Sequence, residues 1–317
     1  MLVKKLGIFL LVILFFLSIF SGVGEMSLTG LLQGTKSQWL LMEETRLPRS
    51  VSIILAGSML SICGLVMQKV LQNRFVSTSS IGMMDSARLG ILLVMLFMPN
   101  SSIWQRSLVA FIFSYAGVLA FLFLTRLLPK NNPLIVPLTG MMFGNIIGAI
   151  ANFFGYQFQL VQNMSSWLQG NFATVMKEDY RLIYLTIPVF IIIFLLLQQI
   201  MVLSLGDDLA QNLGVNVKGM QFVILGLVAL GSSVVLIMVG SVPFLGIVVP
   251  NLVTWYFGDH LNHSLAFTGI WGANFLLICD LLARNLIRPY ELPVSVVVGV
   301  IGGIIFLLLI VRRRNFT

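Results

Sequence analysis

Residues 46–67 read "RLPRSVSIILAGSMLSICGLVM", in which two arginines flank a proline and open directly into an apolar run. The run is long enough to cross a bilayer, because a membrane-spanning helix needs about 20 mainly apolar residues. Such a helix satisfies all its backbone hydrogen bonds internally. Only 9% of the 317 residues carry a charge, so two cations fixed at the entrance of this run need a reason.

The rest of the chain has the same apolar character. Its hydrophobic fraction is 58% and its mean hydropathy is +1.00, values that the surface of a soluble protein does not allow. Solid runs such as "FLLVILFFLSIF" at 9–20 exclude the alternation of a membrane β-barrel. The sequence predicts an all-α polytopic membrane protein, with residues 1–317 as one transmembrane domain. Its ten runs lie near 6–24, 48–71, 80–98, 104–128, 134–155, 181–203, 219–239, 244–257, 265–285 and 293–311.

The first run follows Lys4 and Lys5 and ends in "SGVG" at 21–24, a pattern that a cleaved signal peptide also has. Because it is long enough to span and nine more runs follow, we interpret it as the first transmembrane helix. Cys63 and Cys279 lie inside apolar runs, where cysteine is typically a small buried hydrophobic residue. They indicate neither a metal site nor a disulfide.

Lysines and arginines near the helix ends set the expected orientation. With ten helices, a cytoplasmic amino terminus brings the "RRR" at 312–314 back to the cytoplasm, so we expect both termini inside. The inner segments then hold Lys4, Lys5, Lys69, Arg74, Arg126, Lys130, Lys218 and the three terminal arginines. The outer segments hold Lys36, Arg46, Arg49, Arg106, Lys177, Arg181, Arg284 and Arg288. The arginines in the outer segments are unexpected, because lysine and arginine are usually in excess in cytoplasmic loops.

No segment has the composition of a soluble domain, and no Gly-rich phosphate loop, zinc-ligand spacing or nucleophile elbow occurs. We therefore expect no enzymatic activity, cofactor or metal in this chain. The net charge of +8 is interpreted as membrane orientation with contact to anionic lipid, and not as nucleic-acid binding.

Glycines form a stripe in the fifth run. Gly140, Gly144 and Gly148 recur at four-residue spacing and lie on one helix face, where another backbone can approach closely. Ordinary helix packing and a mobile gate helix both fit this pattern. Asn145 and Asn152, in the same run, either face a wet pathway or form hydrogen bonds between helices.

The connection at 204–219, "SLGDDLAQNLGVNVKG", differs in kind from the other loops. Asp207 and Asp208 suit the positive end of a short helix, and Gly214 suits its C-cap. The sequence predicts a compact helical knob here, with a solvated linker as the alternative.

Four stretches resemble, in the same order, the motifs of the FecCD family, the permeases of ABC importers for iron-siderophores and vitamin B12. They are "RLPRSVSIILAGSMLSICGLVMQ", "GSVPFLGIVVPN", "GDHLNHSLAFTGIWGA" and "CDLLARNLIRPYELPVSVVVG". A fifth, "GDDLAQNLG", stands where family members carry the loop that engages the ATPase. The resemblance runs from Arg46 to the carboxy terminus and implies the fold of the vitamin B12 permeases.

The resemblance also implies roles for particular residues. Family arginines at the positions of Arg46, Arg49 and Arg284 meet glutamates of an extracytoplasmic siderophore-binding protein, with Arg284 as an exposed docking residue. Pro48 suits the first turn of a helix and is expected to set where the helix begins. Anchoring to lipid headgroups is the alternative for these arginines. The segment expected to couple to the ATPase contains Asp207, Asp208, Leu209, Ala210, Leu213 and Gly214.

Two ion pairs are expected near helix ends. Asp85 and Arg88 stand three apart at the start of the third run, where the family places its inner gate. A gate and a structural ion pair both remain open there. Asp280 and Arg284 stand four apart at the end of the ninth run, and we interpret Asp280 as structural. The residues expected along a pathway or at a gate are Asp85, Arg88, Gly140, Gly144 and Asn145.

The chain departs from the family pattern in three stretches. "NRFVSTSS" at 73–80 replaces the usual Asn-Pro-Leu-Ala, Pro250-Asn251 replaces Pro-His, and "GMMDSARLG" at 82–90 replaces a more neutral segment. These changes resemble a subgroup of permeases associated with catechol-type siderophores such as petrobactin.

Together these features predict the permease subunit of an ATP-driven ferric-siderophore importer in a bacterial cytoplasmic membrane. Its expected partners are two copies of a cytoplasmic ATPase, the binding protein, membrane lipid and a second permease, giving a heterodimer. The alternative is an ion-coupled secondary transporter, which needs carboxylates near the bilayer midplane. The acidic residues here cluster instead at helix ends. A structural or assembly protein has no use for a capped knob opposite an arginine-marked face.

Overall fold

The computed structural model describes residues 2–22, 36–125, 127, 135–173, 175, 180–258, 261–287 and 290–313. Arg126, Lys130, Lys177, Arg288 and Arg314, which entered the orientation argument, lie outside these ranges. The described residues form fourteen α-helices: α1 Leu2–Phe20, α2 Lys36–Leu41, α3 Leu47–Val70, α4 Met83–Phe97, α5 Ile103–Thr125, α6 Ile135–Gln157, α7 Val161–Leu168, α8 Thr186–Leu195, α9 Leu197–Leu203, α10 Asp207–Asn212, α11 Val217–Val239, α12 Leu245–Phe257, α13 Leu261–Asn285 and α14 Val294–Arg313.

Each of the ten predicted apolar runs contains one or two of these helices. Five helical segments are long and apolar enough to cross a membrane, and the bent pair α8–α9 makes a sixth. α1, α12 and α14 contribute shorter apolar helices. α4, which carries Asp85 and Arg88, completes the ten. The described part contains two isolated bridges but no strand, so the predicted all-α class is confirmed.

The start of α3 differs from the prediction. The chain is already helical before Pro48, through α2 and a π-helical turn at Met42–Arg46. In this wider turn the Leu47 N–H donates to the carbonyl of Met42. Proline has no N–H to donate to the preceding turn. The hydrogen bonds of a π turn reach one residue further back than those of an α-helix, so the chain stays helical up to Pro48. Pro48 lies in the first turn of α3, but the prediction that it begins the helix is wrong.

The sixth run is broken where a single helix was expected. A 3₁₀ turn at Tyr180–Leu185 leads into α8, and α9 departs from α8 at an angle of 60°. The break falls at Leu196, whose ψ of 9° is outside the α-helical range. The local sequence "FIIIFLLLQQI" contains neither glycine nor proline, so tertiary packing imposes the bend.

α3 is the central helix of the fold, and most of its residues are buried. Glycines let its neighbours approach closely. A Cβ on Gly57 would lie 2.7 Å from the carbonyl oxygen of Gly272 in α13, and one on Gly64 would overlap the backbone of Gly246 in α12. α5 and α6 instead expose wide apolar faces, which suit contact with lipid or a second membrane subunit.

Candidate functional site

Three arginines and two carboxylates meet at one end of α3 and α13. Arg49 Nη2 lies 2.9 Å from Asp280 Oδ1, and Arg49 Nη1 lies 2.7 Å from Glu291 Oε2. Arg284 donates to the second carboxylate oxygen of Asp280. We call this group the arginine cluster; its members are Arg46, Arg49, Asp280, Arg284 and Glu291.

The same arginines hold the C-terminal end of α1. Arg284 Nη1 donates to the carbonyls of Ser18 and Ser21, each at 3.0 Å, and its Nη2 donates to Ser18 Oγ at 3.0 Å. Arg46 also donates to the Ser21 carbonyl. The last carbonyls of a helix have no partner within it, so these guanidinium groups satisfy them and complement the helix dipole. The arginine cluster therefore joins α1, α3, α13 and the α13–α14 connection.

The arginine cluster is buried. The exposed fractions of Arg46, Arg49 and Arg284 are 6%, 9% and 4%, and that of Asp280 is 0%. The expectation that Arg284 is exposed is therefore wrong, because its guanidinium group is enclosed by Asp280 and the end of α1. Asp280, which accepts from two arginines, has the structural role interpreted from the sequence. Removing one member of such a buried pair leaves an uncompensated charge.

A second feature, the central cavity, has a volume of about 210 Å³. Part of its wall is non-helical backbone, from the segment before α4 and from the α11–α12 connection. Within a bilayer, such backbone is tolerated only where it is buried in protein or lines a wet cavity. The lining residues are Ser79, Met84, Asp85, Arg88, Leu168, Leu236, Ser241, Val242 and Pro243.

The predicted pair of Asp85 and Arg88 forms in the wall of the central cavity. Asp85 Oδ1 lies 3.9 Å from Arg88 Nη1, and both side chains are about one-third exposed. Phe244, which follows the cavity residue Pro243, has a φ of 61°. This left-handed conformation is uncommon for a bulky residue, and such strain concentrates at functional sites. A charged pair and a strained backbone thus mark the same cavity.

The predicted glycine stripe of α6 packs against the start of α4. Gly140, Gly144 and Gly148 are all buried. A Cβ on Gly140 would lie 2.3 Å from the carbonyl oxygen of Ser80, and one on Gly144 would lie 2.7 Å from Asp85 Oδ2. The stripe therefore serves close packing, and it also brings α6 against the cavity carboxylate.

We expect Gly140→Ala to lower the stability of the protein by about 1–3 kcal/mol, because the added methyl would overlap backbone atoms that cannot give way. The measurement is the melting temperature of the detergent-purified protein. Gly148→Ala is the matched control, since its Cβ would meet Asp85 Oδ1 at an ordinary 3.5 Å. Equal melting temperatures for the two variants would contradict this packing of α6.

Asn145 lies on the other face of α6. Its side chain is exposed, next to the exposed apolar residues Met142 and Ile146. Within this chain it does not line the central cavity. An amide on an otherwise apolar face suits contact with a second membrane subunit or a path formed between subunits.

α10 is the predicted helical knob, and we call it the coupling helix. Gly206 precedes it with a φ of 116°, and Gly214 follows it with a φ of 80°. The Gly214 N–H donates to the Gln211 carbonyl at 2.9 Å, and the Val215 N–H donates to the Ala210 carbonyl at 3.0 Å. This pair of bonds is the Schellman C-cap. The predicted capped helix is therefore present; whether it contacts a partner or serves only as a solvated linker is a question for the uptake experiment.

The coupling helix presents two leucines on one face. Leu209 and Leu213 are 55% and 63% exposed and stand four residues apart. Asp207 and Asp208 lie in the first turn, where carboxylates complement the helix dipole. Ala210 is fully buried, so it supports the coupling helix from beneath and does not face a partner. Exposed leucines on a polar loop are typical of a protein contact.

The arginine cluster and the coupling helix lie at opposite ends of α3. Arg49 is in the first turn of α3, whereas Gln72 just beyond its last turn donates to the carbonyl of Leu203, close to the coupling helix. α3 has 24 residues and is therefore about 36 Å long. This length exceeds the hydrocarbon thickness of a bilayer, so the two features face opposite sides of the membrane.

Sequence reasoning missed Glu291 and the non-helical part of the cavity wall. Glu291 stands within a quoted motif, and a carboxylate between two arginine-bearing segments was the available signal. Ser79 belongs to the polar run "STSS", and Pro243 to "SVPF", both unusual at membrane depth. Among the described residues, no three His, Cys, Asp or Glu side chains come together as metal ligands.

The fold and these features define a polytopic helical membrane protein with an arginine cluster and an exposed short helix at opposite ends of α3 and a cavity lined by Asp85 and Arg88. Residues 10–312 match the FecCD transport family, and the chain belongs to that family. It is 42% identical to the petrobactin import system permease protein YclN of Bacillus subtilis, over 97% of each chain. It is 35% identical to the ferric-anguibactin transport system permease protein FatD of Vibrio anguillarum, over 93% of this chain and 94% of that one.

The fold is also that of a solved transporter. A metal-chelate type ABC transporter in an inward-facing conformation superposes with a TM-score of 0.83 at 24% identity, covering 96% of this chain and 97% of the other. The permease fold implied by the sequence motifs is therefore confirmed.

Proposed function

We propose that this chain is the permease subunit of an ATP-driven importer of ferric siderophores in a bacterial cytoplasmic membrane. One observation carries the proposal: an arginine cluster and an exposed coupling helix lie at opposite ends of α3, in a bundle that also holds a cavity lined by Asp85 and Arg88. An importer driven by a separate ATPase needs a contact on each side of the membrane and a path between the two. In this arrangement the arginine cluster is outside, and the coupling helix and both termini are in the cytoplasm.

The proposed cargo is a ferric siderophore, with the catecholate type as the first candidate. The two relatives are named for petrobactin and ferric-anguibactin, and the stretches 73–80 and 82–90 resemble the petrobactin-type subgroup. The central cavity of about 210 Å³ is smaller than the roughly 300–1,000 Å³ of pockets that hold drug-sized ligands. A siderophore therefore needs a path that a second permease completes.

The second permease is proposed to be a related but different chain that contacts the outer face of α6 around Asn145. Co-expression of two differently tagged copies of this chain should then recover little self-pairing by affinity capture. Efficient uptake from this chain with only an ATPase and a binding protein would contradict the heterodimer.

Two ATPase subunits are proposed to supply the energy, one of them through the coupling helix. The proposed partner outside is the siderophore-binding protein, contacted through Arg46 and Arg49. Arg284 would act through Asp280, because its own guanidinium group is enclosed. Lipid anchoring, the alternative for these arginines, requires guanidinium groups that reach the headgroups. Carboxylates and carbonyls of this chain already hold Arg49 and Arg284.

One observation favours a second candidate, an ion-coupled secondary transporter. Asp85 lies in the wall of the central cavity, where a proton-coupled carrier would hold a carboxylate. The neighbouring Arg88, whose Nη1 lies 3.9 Å from Asp85 Oδ1, argues for a carboxylate engaged in an ion pair within the chain instead.

Uptake of radiolabelled ferric siderophores in a permease-deletion strain tests the function. Plasmid-borne permease should restore uptake of catecholates most strongly, with hydroxamates and ferric citrate as the comparison classes. In proteoliposomes with the ATPase, the second permease and the binding protein, uptake should require ATP and persist when the proton gradient is collapsed. Uptake that follows the proton gradient without ATP would favour the secondary transporter.

A further inference from the structure

The guanidinium group of Arg49 is shared between two unequal carboxylates. Its Nε and Nη2 donate to Asp280 Oδ1 at 3.3 and 2.9 Å, and its Nη1 donates to Glu291 Oε2 at 2.7 Å. The Asp280 side chain is 0% exposed and is also held by Arg284. The Glu291 side chain is 21% exposed. Of the two carboxylates on Arg49, Glu291 is therefore the one that an outside group can displace.

We propose that Glu291 is an internal counter-ion of Arg49. It accepts the hydrogen bond from Arg49 Nη1 that a carboxylate of the binding protein accepts when that protein docks. This inference rests on the proposed function, because it assumes an acidic partner at the arginine cluster. The Nη1 edge of Arg49 offers a hydrogen-bonding geometry that a glutamate of the partner fits as well as Glu291 does. Docking is then an exchange of one carboxylate for another, and it releases Glu291.

Released Glu291 would act on the start of α14. It stands three residues before Val294, the first residue of that helix. The connection is also held by the Leu292 N–H, which donates to the Ala283 carbonyl at 3.1 Å, and by the packing of Leu292 against the core. Arg49 is thus the charged tether that the exchange removes, next to weaker contacts of the described part of the connection.

A continuous set of contacts links the start of α14 to the central cavity. The Ser295 N–H donates to the Gly170 carbonyl at 3.0 Å, and the Ser241 N–H donates to the Leu168 carbonyl at 3.0 Å. A Cβ on Gly170 would lie 2.5 Å from the Ser241 carbonyl oxygen and 2.9 Å from Ser295 Cβ. The contact between these three segments is therefore closely packed. Leu168 and Ser241 both line the central cavity. Movement of the connection therefore reaches the cavity wall through packed backbone.

The variant Glu291→Gln distinguishes this exchange from a salt bridge with only a structural role, because the two predict opposite changes in the affinity of the binding protein. Glu291→Gln keeps the shape of the side chain and removes its charge. If Glu291 only holds the connection, this change loosens the docking surface and leaves the affinity of the binding protein unchanged or weaker. If Glu291 competes for Arg49, the same change removes the competing charge from Arg49 Nη1, and the binding protein binds more tightly.

The test uses the complete transporter, with its ATPase and second permease, in lipid nanodiscs, and the binding protein that supports uptake with it. We expect Glu291→Gln to bind that protein about five- to tenfold more tightly at low ionic strength, with the gain shrinking at high salt. Glu291→Asp, which keeps the charge, should bind like the wild type. Glu44→Gln is the control, since it removes a carboxylate from the π turn that precedes α3, whereas the ion-pair partners of Arg49 are Asp280 and Glu291; its affinity should stay within about twofold of the wild type.

A second readout follows the cavity without using affinity. In a Ser79→Cys background, the rate of maleimide labelling reports access to the central cavity, while native Cys63 and Cys279 are buried. The binding protein should change this rate, and Glu291→Gln alone should shift it in the same direction. Equal or weaker binding by Glu291→Gln, or an unchanged labelling rate, would overturn the exchange while leaving the importer function in place. Failure of the wild-type transporter to bind the protein would remove both proposals.

Discussion

Replacing Leu209 or Leu213 with aspartate should abolish siderophore uptake while the amount of permease in the membrane stays unchanged. Both leucines are more than half exposed on one face of the coupling helix, so the unpartnered chain tolerates a charge there. In the complex, the same charge would be buried against the ATPase at a cost on the order of a few kcal/mol. Since about 1.4 kcal/mol corresponds to a factor of ten in binding, the ATPase should no longer co-purify.

Two further variants separate coupling from folding at this site. Gln211→Asp adds the same charge to an exposed residue between the two leucines in sequence, and uptake should remain close to the wild-type level. Ala210→Asp buries a charge inside the chain and should instead reduce the amount of folded permease. The coupling role is wrong if Leu209→Asp retains both the ATPase and near-normal uptake.

Arg49→Glu should abolish uptake, and the structure adds that it should also reduce the amount of folded permease. The sequence alone predicts loss of uptake with folding intact, because it assigns Arg49 to an outer docking surface. Instead, Arg49 is paired with Asp280 and Glu291, so the reversal brings three carboxylates together around a buried site. Breaking a buried pair costs about 3–5 kcal/mol, a large part of the stability of a typical domain.

The measurement combines uptake with permease abundance and melting temperature in detergent. Arg106→Glu is the matched control: Arg106 also lies near a helix start but is only partly buried and binds Ser101 Oγ and the Pro99 carbonyl. It should fold and transport almost normally, because a partly solvated cation near the surface contributes much less to stability than one paired with buried carboxylates. If Arg49→Glu reaches wild-type abundance and stability but loses uptake, the simple docking surface predicted from the sequence is the better description.

The helices and the contacts within one helix could be predicted from the sequence, whereas most contacts between helices could not. The ten apolar runs were found because the cost of unsatisfied backbone in lipid acts on each segment separately. The coupling helix was found for a similar reason, since its two acidic residues, its exposed leucines and Gly214 act within a few residues of one another. The ion pairs Asp85–Arg88 and Asp280–Arg284 were also visible, as partners three and four residues apart on one helix.

Features that depend on contacts between distant parts of the chain could not be predicted from the local sequence. Nothing local marks the bend at Leu196, and the helical segment before Pro48 was missed because proline usually stands where a helix begins. Phe244 adopts its left-handed conformation at the end of the α11–α12 connection, next to the cavity residue Pro243.

The sequence by itself determined that this protein is an all-helical membrane protein with a capped helix in one loop, because hydropathy and capping are properties of short segments. Its resemblance to the FecCD family came instead from motifs that follow one another in the family's order. Only the tertiary structure decided that Arg49 is held within the chain and that Arg284 is enclosed. Arg49 meets Asp280 across 231 residues and Glu291 across 242 residues of sequence. Whether an arginine at a helix end faces solvent or a carboxylate depends on which helices pack beside it, and that packing is set by the whole bundle.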